Sequence, residues 1–434
     1  MASPRPPIPE PELTSVITEE IAALSSLPEF RDGLAWIHSQ ENQFAQWQME
    51  LAKIPAPPFG EAARSRWLME RFRELKLDDV HTDEVGNVLG TRRCRAKSAG
   101  KSGKAQAKHH LAVSAHIDTV FPAGTALNIS RQGSRLHGPS VSDNSAGVVA
   151  LLALAGALRS AKISHALPIL FIGNVGEEGE GDLRGMRHIF SKSPHKDAIR
   201  YSLVLDGAGS DTIVAEALGS RRFEVTVRGP GGHSWSDFGL PNPILALARA
   251  IDVFAQTPVP ASPKTTFNIG VIQGGTSVNS IPESASMRVD IRSASMMEMQ
   301  RLEHALRQAV DTAVDDQMQL IATRGSSTAP KRSSRLKAEV VMIGNRPAGE
   351  LEPNARMLQV VRAVDEHIGN AAQIQRASTD ANIPLSLGRE ALALGAGGTG
   401  GGAHTLQEWF DCNGRELGLK RILLTVLALA ATGE

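Results

Sequence analysis

The chain has 434 residues, 41% hydrophobic and 21% charged, and its 46 Lys+Arg balance 46 Asp+Glu. That length favours two domains over one core, and zero net charge argues against a polyanionic partner such as nucleic acid. The two cysteines, Cys94 and Cys412, make no disulfide framework. The start, Met-Ala-Ser-Pro-Arg-Pro-Pro, lacks a signal-peptide core, and the longest apolar run, 148–158, is too short to span a bilayer, so a cytoplasmic protein off the membrane is expected.

Residues 1–12 are proline-rich and read as frayed or extended. Apolar residues recur at helical spacing over about 13–53 and 61–75, and a short strand with a turn before it follows from 85. The Lys-, Gly- and Ala-rich stretch near 100 reads as an exposed loop, with a basic binding tract as the sharper alternative. Residues 111–116 then form a buried-strand signal that ends in His116-Ile-Asp118. Residues two apart on extended backbone share a face, so the Asp118 carboxylate can steer the His116 ring.

The loop Gly138-Pro-Ser-Val-Ser-Asp-Asn-Ser-Ala-Gly147 precedes a helix expected over 148–160. Asp143 there reads first as an N-terminal cap, with a metal-bridging carboxylate as the functional alternative. Another buried strand, 168–174, runs into Val-Gly-Glu-Glu-Gly, where Glu177 and Glu178 stand side by side. Adjacent like charges past a buried strand fit a surface turn, or else a general base beside a ligand. A third such strand from 201 ends at Asp206. His116, Glu177, Glu178 and Asp206 thus all fall at carboxyl ends of strands, where open parallel α/β sheets place their sites.

From Gly219 the pattern changes to alternating strands (222–228, 265–272, 285–293, 337–343) with helices over about 242–254 and 296–315. This reads as an inserted α+β lid domain. The expected division is 1–218 and 346–434 for a mostly parallel-sheet α/β catalytic domain, with 219–345 for the lid. Near the end, Gly395, Gly397 and Gly400 spell G-x-G-x-x-G, but too little chain follows for a nucleotide-binding unit. A flexible loop that delivers His404 and lets backbone approach a ligand at Gly400 fits better.

Two imidazoles and several carboxylates with almost no cysteine suit zinc, cobalt or manganese. His116, Asp143, Glu178, Asp206 and His404 would serve two ions with Asp143 shared. Such a site acidifies water, and Glu177 would take its proton and pass it to a leaving amine. Five ordered motifs carry a resemblance: His116-Ile-Asp-Thr-Val, the 138–147 loop, Glu177-Glu178, Gly229-Pro-Gly-Gly-His233 and His404-Thr-Leu-Gln-Glu408. Together they resemble the co-catalytic zinc exopeptidases and deacylases that include glutamate carboxypeptidase, peptidase T, acetylornithine deacetylase and succinyl-diaminopimelate desuccinylase.

The resemblance covers roughly residues 60–430. It implies a two-zinc hydrolase of amide bonds in small peptides, a homodimer through the lid, and substrates with a free carboxylate. By similarity, His233 reaches the partner subunit's site and supports the oxyanion, while Asn279 and Arg292 hold substrate; the plain alternatives are a turn histidine and a surface strand cation. An N-acyl-amino-acid deacylase is the competing reaction. A chain that kept the fold but acts only as a dimeric binding protein is the competing class.

Overall fold

The computed structural model describes residues 15–93, 109–323 and 335–431. The proline-rich start and nearly all of the basic stretch near 100 lie outside them. The chain divides into two compact units. One is Leu218–Ala348; the other joins the segments that end at Ala217 and resume at Gly349.

The second unit is built on a nine-stranded sheet. Its order is Asp78–Thr82, Val88–Arg92, Ile169–Asn174, His110–His116, Ile199–Leu205, Glu390–Leu394, Thr212–Ala217 and Gly349–Glu350, with Gln373–Ala377 also paired to Thr212–Ala217. The four central strands from Ile169–Asn174 to Glu390–Leu394 run parallel. Their side chains alternate between two cores. Leu111, Val113, Ile169 and Phe171 face one apolar cluster, and Ala112, Leu170 and Ile172 face the other. Burial on both faces explains why these strands read as continuous apolar runs.

The helix Ser145–Ser160 is buried on every side from Ser145 to Leu158, as an all-round apolar helix must be. It begins three residues earlier than the apolar pattern suggested, because Asn144 caps it. The N-terminal helical signal resolves into three helices, Ser15–Ser26, Pro28–Ser39 and Glu41–Ala52. Pro28, at the first position of the second, lacks the N–H that would continue the first.

A four-stranded sheet of Thr399–Gly401, Trp409–Asp411, Arg135–His137 and Ser130–Gln132 belongs to the same unit. Strands of three residues leave no alternation to read. The glycine-rich stretch is therefore not simply a flexible loop. Its Thr399–Gly401 part is hydrogen-bonded to Trp409–Asp411, which leaves 402–408 as the connection that carries His404.

The Leu218–Ala348 unit is a four-stranded antiparallel sheet, ordered Thr265–Gly274, Ser284–Ser293, Gly219–Arg228 and Lys337–Arg346. Helices Pro243–Ala255 and Met296–Thr323 cover the face that carries Phe223, Val225 and Val227. No helix among the described residues is long and apolar enough to cross a membrane.

Candidate metal centre

Three adjacent parallel strands place the chemistry. His116 is the last residue of His110–His116, Asp206 directly follows Ile199–Leu205, and Glu177 and Glu178 follow Ile169–Asn174. His116 Nε2 lies 3.1 Å from Asp143 Oδ1 and 3.7 Å from Asp206 Oδ1. His404 Nε2 lies 3.0 Å from Asp143 Oδ2 and 3.1 Å from Glu178 Oε1. Two triads result, His116–Asp143–Asp206 and Asp143–Glu178–His404, each with donor atoms within 4.8 Å of one another and with Asp143 common to both. His116, Glu177 and Glu178 form a third such group.

The donor chemistry fits a pair of divalent cations. A tetrahedral zinc with bonds of about 2.1 Å sets its donors about 3.4 Å apart, close to these separations. Imidazole nitrogen and carboxylate oxygen are also the donors such ions take. Without a cation, the ring nitrogens must answer the carboxylates with protons. Hydrogen bonds that the ring donates to Asp143 and Glu178 push His404 up to about 10. Burial works to lower His116, but Asp118, Asp143 and Asp206 outweigh it and hold the ring well above its ordinary value.

Asp118 acts in two directions. Its backbone oxygen is 3.2 Å from His116 Nδ1 and its carboxylate 3.6 Å away. The same carboxylate accepts the backbone N–H of Glu177 at 2.9 Å and of Glu178 at 2.7 Å. Burial works to raise Asp118, and these partners bring it below its usual value. The residue thus ties the His116 strand end to the Glu177–Glu178 turn. Glu177 and Glu178 are themselves buried, so the turn is no solvated surface feature.

The loop that carries Asp143 depends on further buried polar residues. Asn144, not Asp143, is the helix cap. Its Oδ1 accepts from Gly147 N at 3.0 Å and Gly207 N at 3.1 Å, and its Nδ2 donates to Leu205 O at 2.9 Å. Arg64 is buried and donates to Ile54 O, Ile117 O and Ser140 Oγ at 2.9, 3.2 and 3.0 Å. Burial lowers its pKa to about 10, which leaves it a cation beneath Asp118, Glu408 and Asp143. Glu408, also buried, accepts the N–H groups of Ser140, Ser142 and Asp143. Asp380 is fully buried with Asn174 Nδ2 donating to it at 2.6 Å, and burial raises its carboxyl to about 7. Asn144 and Glu408 lie inside the 138–147 and 404–408 motifs, which show no contact between them; Arg64 and Asp380 are ordinary polar residues until the fold brings them in.

The remaining candidates are Gly400, His233, Asn279 and Arg292. A Cβ on Gly400 would meet Ser142 Oγ at 2.7 Å and Ala208 Cβ at 2.8 Å, so close packing within the chain already requires its glycine. His233, Asn279 and Arg292 belong to the Leu218–Ala348 unit. There Asn279 O accepts from Ser234 N at 3.0 Å, and His233 pairs with Ser280 between two short strands. Arg292 Nε donates to Asp290 at 2.7 Å.

The family model for Peptidase family M28 matches residues 98–223, and that for a peptidase dimerisation domain matches 216–317. A probable carboxypeptidase of Aspergillus clavatus is 32% identical over 218 residues, 45% of this chain and 47% of that protein. Another from Ajellomyces dermatitidis is 28% identical over 235 residues, 50% and 51% of the two chains. The chain therefore spans about half the length of the curated relatives it matches. Among solved structures, aminopeptidase PepT of Bacillus cereus aligns with a TM-score of 0.68 at 20% identity over 90% of this chain and 99% of that one. The di-peptidase Dug1p of Saccharomyces cerevisiae aligns at 0.66 and 13% identity over 93% and 99%. The YXEP protein of Bacillus subtilis, described as a dinuclear metal binding peptidase, aligns at 0.62 and 14% over 91% and 99%. At these identities the structural likeness speaks for the fold.

Proposed function

As a member of the co-catalytic metallopeptidase family, the chain is, we propose, a two-cation hydrolase of amide bonds in small peptides that bear a free carboxylate. The observation that carries this reading is the pair of donor triads joined at Asp143, with Glu177 buried beside them. Two zinc ions, with cobalt or manganese as substitutes, would supply Lewis acidity and acidify water at the site.

The chain's own residues do the rest. His116, Asp143 and Asp206 would hold one ion, and Asp143, Glu178 and His404 the other. Asp118 fixes the His116 ring and, through two backbone N–H groups, the turn that presents Glu177. The Glu177 carboxylate takes a proton from the attacking water and returns it to the leaving amine, the work of a general base that becomes a general acid. His233 is assigned to support the oxyanion, and Asn279 and the planar Arg292 fork to bind the substrate carboxylate. The dimerisation-domain match over 216–317 supports a homodimer through the inserted unit.

The sequence relatives bear carboxypeptidase names, and the structural neighbours include an aminopeptidase and a di-peptidase. Cleavage next to a peptide terminus is what these names have in common. The test is a substrate screen with protein reconstituted in zinc, cobalt or manganese, comparing dipeptides, tripeptides and N-acyl amino acids. Release of amino acids from di- or tripeptides is expected. Turnover confined to acyl amino acids would make the protein a deacylase, and a metal-loaded protein inert on all three classes would leave only a binding role.

A further inference from the structure

Glu408 stands four residues beyond His404, at the far end of the 402–408 connection, and its side chain is fully buried. It belongs to neither donor triad. One carboxylate oxygen accepts from Ser140 N at 2.9 Å, and the other from Ser142 N at 2.6 Å and Asp143 N at 2.7 Å. Its backbone oxygen accepts Gly138 N at 2.8 Å. The 138–143 loop is thus held almost residue by residue from the segment that also carries His404.

That loop needs an external hold. Ser140 sits at φ +65°, a conformation an L residue rarely adopts unless its surroundings impose it. Charged acceptors make the strongest backbone hydrogen bonds, and three on one carboxylate leave little play. What the hold controls is Asp143, whose two oxygens go to different partners, Oδ1 to His116 and Oδ2 to His404.

We propose that Glu408 is a positioning residue that clasps the Asp143 loop to the His404 segment, so that binding of both cations depends on this one side chain. This rests on the two-cation reading of the site. It separates Glu408 from the ligands themselves. Loss of His404 removes a donor from one triad only, whereas loss of Glu408 releases the bridging residue shared by both. Conservative replacement is informative too. Glutamine keeps one acceptor oxygen but sets an amide NH2 against a backbone N–H, so part of the hold survives.

Co2+ is titrated into the metal-stripped full chain of wild type, Glu408→Ala, Glu408→Gln and His404→Ala, with visible absorption read for affinity, stoichiometry and coordination. Urea unfolding of each metal-free protein reports the fold. Wild type is expected to take up two ions. Glu408→Ala should weaken both by about 10–100-fold, the usual cost of removing an outer partner of a ligand. Glu408→Gln should show a smaller loss shared by both, and His404→Ala a loss at one ion alone. Wild-type affinity and spectrum in Glu408→Ala, or a loss confined to one ion, overturns the clasp. If the alanine variant does not fold, the glutamine variant decides on the same criterion. A wild type that takes up one ion or none overturns the two-cation reading, and the clasp with it.

Discussion

At the scale of single residues, the centre gathers more negative charge than the buried Arg64 can balance. Protons on two histidines make up part of the difference. His404 is raised to about 10 and His116 well above its ordinary value, which favours the imidazolium form of both rings in the cation-free protein. Cations bind imidazole only through a free nitrogen lone pair, so uptake must expel those protons. Loading at pH 7 should release about two protons per chain, and apparent affinity should rise with pH up to the pKa of the rings. Calorimetry in buffers of differing ionisation enthalpy counts the protons; uptake without release would mean the rings are not the donors. Glu177 is tested apart from binding. Glu177→Gln should retain both ions, measured as metal per chain, while kcat falls by about 10²–10⁴-fold. Unchanged turnover would remove Glu177 as the base.

At the scale of elements, the sequence shows what is periodic and hides what is not. His116, Asp206 and the Glu177–Glu178 pair could be picked out because each interrupts or ends an apolar run, and an ionisable residue at such a place stands out. Asp143 was ambiguous for a physical reason. Asp, Asn and Ser all cap helices, and the three-residue stretch Asp143-Asn144-Ser145 offers every one of them. The structure gives the cap to Asn144, which frees the Asp143 carboxylate to face both histidines. The short strands around His404 were invisible because three residues carry no alternation, and the Arg64 and Glu408 contacts because they join segments far apart in sequence. Asn144 serves the helix Ser145–Ser160, the strand end at Leu205 and the backbone of Gly207 at once. Asn144→Ala removes the cap and strands buried polar groups, for an expected loss of about 2–4 kcal/mol in urea unfolding. The loss should come with weaker metal binding, because the neighbouring Asp143 shares its loop. Asn144→Asp, which keeps the accepting oxygen but not the donor to Leu205 O, should fall between.

At the scale of the whole molecule, the change from buried parallel runs to half-exposed alternation near Gly219 marked a second architecture, and each unit has an apolar core of its own. The points where the chain leaves and re-enters the larger unit are neighbours. Ala217 pairs with Gly349 across antiparallel strands, which sets their Cα atoms about 5 Å apart. Within the smaller unit the ends also meet, since a Cβ on Gly219 would touch Ala348 at 3.0 Å. A few glycine and serine residues can therefore bridge 217 to 349 without moving either strand, and insertions with adjacent ends tolerate removal. The trimmed chain should fold and bind two cations with close to wild-type affinity, since all five proposed donors lie outside Leu218–Ala348. Residues 218–348 alone should fold as a mixed helix and antiparallel-sheet protein that takes up no metal. Peptide turnover is the dividing measurement. If His233, Asn279 and Arg292 contact substrate as proposed, the trimmed protein should lose at least about 100-fold in kcat, the typical worth of one oxyanion donor. Full turnover by the trimmed chain would confine the chemistry to the larger unit and leave the inserted one with assembly alone.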